Sequence, residues 1–207
     1  MKKKIDLNIY SIFPTPIYVS GLGRKLTGKE SKFIQKTKQD TYKNKGNTTS
    51  NDTYILNNKN FNTLKKELGE VVQDYFKQIL STKNVSPYIT QSWLNYTEKN
   101  QFHHKHRHAN SIVSGVFYID ADEKHDKVYF YDDRHSVILT EVNQFNTFNS
   151  SSWFFPVKTG QLFLFPSSLE HMVETKKGSN TRTSLAFNVF VKGNLGEIKT
   201  LTELKIQ

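Results

Sequence analysis

The feature that most constrains the fold of this chain is a series of short runs, beginning near Tyr88, in which apolar and polar residues alternate. Polar turns separate one run from the next. Alternation with a period of two is typical of strands with one buried face, and many such strands at close spacing predict an antiparallel sandwich or barrel. The predicted strands cover residues 89–96, 112–119, 127–131, 137–142, 144–148, 161–165, 171–174 and 183–191.

Two helical segments precede these strands. Thr27 and Glu30 have the spacing of a capping box, which predicts a helix from Thr27 to about Tyr42. Apolar residues at spacings of three and four predict a second helix over residues 62–80. The polar segment 43–51 between them is predicted to be a loop. We therefore expect one domain over residues 1–207, mainly β with flanking helices, with a helical portion at 1–85 and a β core at 86–195.

Composition narrows the chemistry. The chain has no cysteine, which excludes thiolate metal sites, a cysteine nucleophile and disulfides. No apolar run approaches the roughly 20 residues that span a bilayer, and polar residues interrupt the first 13 positions. We therefore expect no signal peptide and no membrane partner, and a cytoplasmic location.

The formal net charge of +10 raises the possibility of a nucleic-acid partner. However, lysines are scattered from Lys2 to Lys205, a distribution that solvated surfaces explain. The scattered charge is therefore weak support for nucleic-acid binding.

Residues 102–108 carry the densest chemical signal, because four of the seven histidines lie there, at positions 103, 104, 106 and 108. Imidazole binds iron, zinc, copper and nickel, although a histidine run on a surface also binds metal adventitiously. Residues i and i+2 of an extended chain share a face. By spacing alone, His104 and His108 are therefore equally good partners of His106.

The sequences around this cluster carry a resemblance to a known family. Ser-Gly-Val-Phe-Tyr follows at 114–118, Phe-Pro-Ser-Ser-Leu-Glu-His lies at 165–171, and Arg-Thr-Ser lies at 182–184; Phe-Pro-Thr-Pro-Ile-Tyr at 13–18, Trp-Leu-Asn at 93–95 and Phe-Tyr-Asp-Asp-Arg at 130–134 add to the pattern. In this order, over about residues 12–191, they resemble the 2-oxoglutarate and Fe(II)-dependent oxygenases, and more narrowly a phage and bacterial family within that prolyl-hydroxylase-like superfamily. The resemblance implies a double-stranded β-helix, or jelly-roll, core.

The resemblance also implies roles for individual residues. Three histidines would bind Fe(II), and further residues would contact the cosubstrate 2-oxoglutarate, with Arg182 on its far carboxylate and Ser184 beside it. The implied metal ligands are His106, His108 and His171, and the implied cosubstrate contacts are Arg182, Ser184 and Tyr118. Strand alternation adds Asn188 and Asn95 as polar residues on inner faces. The alternatives are that Tyr118 is a core residue and Arg182 a surface cation.

One position departs from the wider superfamily, where Asp or Glu usually takes the second place of the His-x-Asp/Glu motif. Here that residue is His108, so a neutral ligand replaces an anion. The site would be one charge more positive, which makes competition by zinc or nickel easier and puts the identity of the bound metal in doubt.

The resemblance implies a dioxygenase that uses O2 to hydroxylate an unidentified substrate, with release of succinate and CO2. A peptide or a small molecule is favoured over nucleic acid as that substrate. Two alternatives are a non-catalytic metal-binding β-barrel that serves as a phage or bacterial interaction module, and a basic nucleic-acid-binding protein. Arg182 and Ser184 favour the oxygenase, because a plain metal-binding barrel has no need of them so soon after His171.

Overall fold

The computed structural model describes residues 7–132 and 140–207, which form two antiparallel sheets with helices on one side. The large sheet has the strand order β1-β9-β6-β11-β4-β3-β2, and β12 pairs with β11. Its strands are β1 (Tyr18–Gly21), β2 (Thr41–Lys43), β3 (Thr48–Ser50), β4 (Val85–Thr97), β6 (Val113–Asp120), β9 (Gln161–Pro166), β11 (Arg182–Leu195) and β12 (Leu204–Ile206). The small sheet, in the order β5-β10-β7-β8, contains β5 (His103–His106), β7 (Lys127–Tyr131), β8 (Ser152–Pro156) and β10 (Glu170–Val173). This architecture confirms the predicted mainly β fold and its double-stranded β-helix core.

The first helix, α1 (Gly28–Thr37), begins at the predicted capping box. The Thr27 hydroxyl accepts a hydrogen bond from the Glu30 N–H at 3.2 Å, and the Glu30 carboxylate accepts one from the Thr27 N–H at 2.7 Å. The helix ends before the predicted Tyr42, because residues 41–43 pair with residues 48–50 in a β-hairpin. The segment predicted as a loop is therefore largely this hairpin, and β3 joins it to β4. The predicted helical portion thus also contributes three strands to the large sheet.

The second helix, α2 (Asn62–Tyr75), is preceded by two 3₁₀ turns (Ile55–Asn57 and Lys59–Phe61) and continues into a π-helical turn (Phe76–Leu80). This confirms the predicted helical segment 62–80. Its apolar stripe, Leu64, Leu68, Val72 and Tyr75, is fully buried. Within the described residues, the structure contains no helix both long and apolar enough to cross a membrane.

The large sheet buries both faces. Leu162 and Leu164 of β9 belong to the core on the side of α2, whereas Phe163 and Phe165 belong to the core between the two sheets. The same alternation in β11 sends Leu185 and Phe187 towards the helix. The even-numbered residues of β11 therefore face the space between the sheets, where the predicted site residues lie.

The predicted strand at 144–148 is wrong, because this stretch forms turns. Asparagine side chains there bond to nearby backbone: the Asn146 carboxamide accepts from the Phe148 N–H, and Asn149 accepts from the Asn146 N–H. Such local bonds compete with strand pairing. Of the predicted strand 137–142, residues 137–139 lie outside the described part and 140–142 are not in a strand. The fourth strand of the small sheet is instead β8.

Candidate metal and cosubstrate site

Three histidines meet at one end of the space between the sheets. Antiparallel pairing of β5 with β10 places His106 directly opposite His171, and His108 follows two residues after His106. The ring centroids of His106, His108 and His171 are 4.4, 5.1 and 5.2 Å apart pairwise. One ligating nitrogen of each lies within 4.8 Å of the others.

Each of these rings is held by its Nδ1 atom. The His106 Nδ1 lies 2.7 Å from the carbonyl oxygen of His104, the His108 Nδ1 lies 2.6 Å from the Asn188 Oδ1, and the His171 Nδ1 lies 3.1 Å from the carbonyl oxygen of Leu169. Every partner is an oxygen acceptor, so Nδ1 carries the proton and Nε2 keeps its lone pair. This is the arrangement in which metal-binding histidines are usually oriented.

The spacing of two Nε2 atoms supports a shared ion. The Nε2 atoms of His106 and His108 are 3.1 Å apart. Bonds from imidazole to a divalent ion are about 2.1 Å long, so two such ligands at a right angle are about 3 Å apart. Two lone pairs at this distance repel each other in the absence of a cation, and a bound ion would remove that repulsion.

Burial keeps the three imidazoles neutral. Desolvation lowers the pKa of His106 to about 4 and that of His171 to about 3, and neighbouring histidines lower both pKa values further. Desolvation also lowers the pKa of His108, although the hydrogen bond that its Nδ1 donates to Asn188 raises that pKa in part. At neutral pH all three side chains are therefore ready to bind a metal without first losing a proton.

Ser167, in the turn before β10, bonds to the segment that carries His108 and so links it to the strand that carries His171. Its carbonyl accepts from the His108 N–H at 3.1 Å. Its hydroxyl lies 2.8 Å from the Ser111 hydroxyl and 2.9 Å from the Ser114 hydroxyl. Ser114 and Ser167 are fully buried. The serines of two sequence motifs therefore brace the ligands, a role that the sequence did not reveal.

A second histidine group overlaps the first. Ligating nitrogens of His103, His104 and His106 also lie within 4.8 Å of one another. In this group the hydrogen bond of His104 is long, with its Nδ1 3.3 Å from the Lys45 carbonyl oxygen. The group that contains His108 and the buried His171 is better ordered for metal binding, since all its Nδ1 atoms have close acceptors.

The predicted cosubstrate residues lie on facing positions of three neighbouring strands. Ser184 of β11 pairs with Asn95 of β4 on one side and with Tyr118 of β6 on the other, so these three side chains share the inner face. Arg182 lies two residues before Ser184 on the same face. It is only 3% exposed, which rules out the alternative of a surface cation.

Arg182 is part of a buried group of charges. Its Nη1 donates to Asp126 Oδ1 at 3.0 Å, and the Lys176 Nζ lies 3.3 and 3.4 Å from the two Asp126 oxygens. Asp126 and Lys176 are fully buried. Two cations thus share one fully buried anion. Asp126 and Lys176 were not predicted, because each lies in a polar turn-like stretch that carries no sign of burial.

Two donors beside this group have no partner among the described residues: the Arg182 Nη2 and the Tyr118 hydroxyl, both buried. Burial raises the pKa of Tyr118, so its hydroxyl stays protonated. A buried donor without an acceptor costs about 1 to 3 kcal/mol. A carboxylate supplies acceptors for both donors and balances the positive charge, so the residues present fit the far end of 2-oxoglutarate.

The two predicted asparagines have different surroundings. Asn188 accepts the hydrogen bond from the His108 Nδ1 and so orients a candidate metal ligand. Asn95 accepts a hydrogen bond from the Thr49 hydroxyl at 2.9 Å, within the row that includes Ser184 and Tyr118. Asn188 is thus placed next to the metal group and Asn95 next to the cosubstrate group.

Comparison with known proteins gives a family match and a shared fold. Residues 91–188 match the family model described as "Putative 2OG-Fe(II) oxygenase". None of the curated protein sequences matches the chain. Among solved structures, an oxidoreductase of the 2OG-Fe(II) oxygenase family from Burkholderia pseudomallei is similar, with a TM-score of 0.55, 14% identity, and 77% of this chain and 76% of that chain covered.

Two further solved structures share the fold. HygX from Streptomyces hygroscopicus, with nickel, 2-oxoglutarate and hygromycin B bound, has a TM-score of 0.57 and 13% identity over 84% of this chain and 82% of its own. The epimerase SnoN, in complex with Fe3+, alpha ketoglutarate and nogalamycin RO, has a TM-score of 0.60 and 9% identity over 92% of this chain and 86% of its own. At these identities the likeness establishes the fold.

The family match and the fold agree with each other. Residues 91–188 match the 2OG-Fe(II) oxygenase family model, and the chain has the double-stranded β-helix fold that these solved structures share.

Proposed function

We propose that this protein is an Fe(II)- and 2-oxoglutarate-dependent dioxygenase that hydroxylates its substrate with O2 and releases succinate and CO2. The observation that carries the proposal is the pair of buried donors, Arg182 Nη2 and the Tyr118 hydroxyl, that have no partner in the described part of the chain, in a fold that also brings three neutral imidazoles together. A non-catalytic β-barrel has no use for two unsatisfied donors beside excess positive charge.

In this proposal His106, His108 and His171 hold Fe(II) through their Nε2 atoms. The Arg182 guanidinium and the Tyr118 hydroxyl donate hydrogen bonds to the far carboxylate of 2-oxoglutarate, and the Ser184 hydroxyl is a third donor. Charge-assisted bonds from a guanidinium fork fix both the position and the direction of a carboxylate. When bound, iron and 2-oxoglutarate supply the oxidation of a C–H bond by O2.

The chain's own residues hold these groups in place. Asp126 fixes the Arg182 fork through one Nη atom and leaves the other free. Asn188 sets the ring plane and the tautomer of His108. The buried aromatic residues between the sheets, among them Phe130, Phe163 and Phe165, exclude water from this side of the site.

The ligand set also bears on which metal is bound. Three imidazoles carry no negative charge, so this site neutralises a divalent ion less than a site with one carboxylate does. Zinc and nickel bind nitrogen ligands at least as well as iron, so occupancy by Fe(II) depends on supply. Loading with iron in the absence of air is therefore part of any test.

The experiment is anaerobic loading with Fe(II), followed by calorimetry with 2-oxoglutarate and, after O2 is admitted, measurement of succinate. We expect stoichiometric 2-oxoglutarate binding and slow succinate release without substrate. His171→Ala is the matched control, which removes a metal ligand and leaves Arg182 untouched. An iron-loaded protein that does not bind 2-oxoglutarate would favour the interaction module instead.

The substrate belongs to the same proposal. The cleft over the histidines has a volume of about 300 Å³, which suits a small molecule or one protruding peptide side chain and leaves little room for a nucleic-acid strand. A peptide or a small molecule is accordingly favoured.

A further inference from the structure

A cleft of about 300 Å³ opens over the candidate metal ligands. The β2–β3 hairpin forms one wall and β4 forms another, and His106, His108 and Asn188 are also part of the lining. Small-molecule sites in proteins have volumes of about 300 to 1,000 Å³, so this cleft is at the lower end of that range. The cleft is therefore of a size to enclose one small compound beside the metal group.

The walls offer rings on two sides. Trp93 of β4 lies against His108, with ring centroids 5.6 Å apart, and Tyr42 of the hairpin lines the same cleft. Trp93 is only partly buried, and Tyr42 is 47% exposed. Aromatic faces left open beside a reacting centre are suited to packing against the ring of a ligand.

The charges of the cleft have one sign. Among the described residues that line it, none is Asp or Glu, and the one with a full positive charge is Arg107. Lys43 and Lys45 flank the lining residue Asn44 on the hairpin. A cationic ligand would find no counter-ion in these walls, whereas an anionic one would find a guanidinium.

Arg107 is uncommitted. It forms no side-chain hydrogen bond or ion pair within the part of the chain that the structure describes. A carboxylate near it, Glu170, is bound to Lys105 at 2.7 Å instead. The pKa of Glu170 is lowered mainly by Lys105, with a smaller contribution from Arg107. The guanidinium is therefore free to bind a carboxylate or a phosphate.

The neutral polar groups of the cleft are also free. Over the same described residues, the Gln91 amide, the Trp93 indole N–H and the Asn188 Nδ2 have no hydrogen-bond partner, although the Asn188 Oδ1 is taken by His108. Most of these groups are donors, so the cleft suits a ligand rich in acceptor oxygens or ring nitrogens.

We infer that the cleft binds a small anionic compound with a cyclic body, its ring against Trp93 and its carboxylate or phosphate on Arg107, and that this class of compound is the substrate. The assignment as substrate rests on the proposed function, because it places the compound beside the iron. Binding itself does not depend on turnover.

The chain contains two tryptophans, Trp93 in the cleft and Trp153 on β8 of the small sheet. In a Trp153→Phe background, indole fluorescence therefore reports on the cleft alone. We would titrate the anaerobic Fe(II) protein, saturated with 2-oxoglutarate, with glucose 6-phosphate and glucose, then with a nucleoside monophosphate and its nucleoside, and finally with a cationic aminoglycoside. The two phosphate pairs separate a sugar source from a nucleotide source of the same anionic chemistry.

We expect at least one phosphate to bind about tenfold or more tightly than its uncharged partner, and Arg107→Gln to abolish that difference. Lys199→Gln removes one exposed charge far from the cleft along the chain and should leave the difference intact. The inference is overturned if no anionic probe binds at millimolar concentration, if charged and uncharged partners bind equally, or if the aminoglycoside binds most tightly. Failure of the proposed function is a separate result, namely no binding of 2-oxoglutarate in calorimetry.

Discussion

The hydrogen bond between Asn188 and His108 offers the sharpest test of the metal site. Asn188→Ala removes the acceptor 2.6 Å from the His108 Nδ1 and leaves the three candidate ligands themselves unmutated. Loss of such an orienting partner typically lowers metal affinity by 10- to 100-fold, which corresponds to about 1.4 to 2.8 kcal/mol. We expect a decrease in this range, because the ring then rotates freely and its tautomer is no longer set.

Two further substitutions bracket this value. His108→Ala removes a ligand and should lower metal affinity more than Asn188→Ala does. His104→Ala removes a ring whose Nδ1 has a long, 3.3 Å contact to a carbonyl oxygen and which is outside the proposed ligand set, so it should lower metal affinity less than tenfold. Asn188→Asp keeps an acceptor and adds a negative charge, so it should retain or increase metal affinity.

The assay is anaerobic titration with Fe(II) or Co(II), with bound metal quantified by mass spectrometry and folding checked by circular dichroism. The expected order of affinity loss is His108→Ala, then Asn188→Ala, then His104→Ala. If His104→Ala loses as much metal as His108→Ala, the ion uses the overlapping group of His103, His104 and His106 instead. Wild-type affinity in Asn188→Ala would refute the orienting role.

Three other predictions concern the cosubstrate, the core and pH. Arg182→Lys should leave the metal content nearly unchanged but weaken 2-oxoglutarate binding more than tenfold, since a lost bidentate ion pair costs about 1.5 to 3 kcal/mol. Wild-type affinity of this variant for 2-oxoglutarate in calorimetry would exclude Arg182 from the cosubstrate site. Gly115→Ala places a Cβ 2.1 Å from the buried ring of Phe187 and should lower Tm by several degrees, because overpacking costs about 1 to 3 kcal/mol. Its control is Gly69→Ala in α2, which should raise Tm because the space around the new Cβ is open. The free energy of unfolding of the metal-free protein should fall as pH drops from about 6.5 to 4. In this range the histidines of the unfolded chain bind protons, whereas those of the folded chain do not, since the pKa of His106 is about 4 and that of His171 about 3. Denaturant titrations measure this free energy, and a His171→Asn variant should show a shallower dependence on pH.

Local sequence patterns predicted most of the architecture. The capping box at Thr27, the apolar stripe of α2 and the alternation in β4, β6, β9 and β11 all appear in the structure. These patterns are readable because capping depends on residues three apart, and burial of one face imposes a fixed period. Short edge strands such as β2 and β8 were missed, since a few residues carry too little periodicity.

The family resemblance named the site residues, but spacing alone left His104 and His108 equivalent. The tertiary structure separated them, because β11 brings Asn188 to His108 across 80 positions of sequence. Over residues 7–132 and 140–207, no acceptor lies this close to His104, whose Nδ1 is 3.3 Å from the Lys45 carbonyl oxygen. The difference between the two histidines therefore depends on the position of β11, which lies beside the segment that carries His108.

The order of the elements, the alternation of their faces and the residues able to bind a metal can all be read from the sequence. The folded chain adds the burial of Asp126 and Lys176 with Arg182 and the bond from Asp126 to one Nη atom. It also leaves the other Nη atom and the Tyr118 hydroxyl without partners among the residues that the structure describes. The physical reason is sequence separation: the bond from Arg182 to Asp126 spans 56 positions. Such a contact forms only when distant parts of the chain pack together, and the residues around Asp126 and Arg182 do not specify which distant residue each will meet.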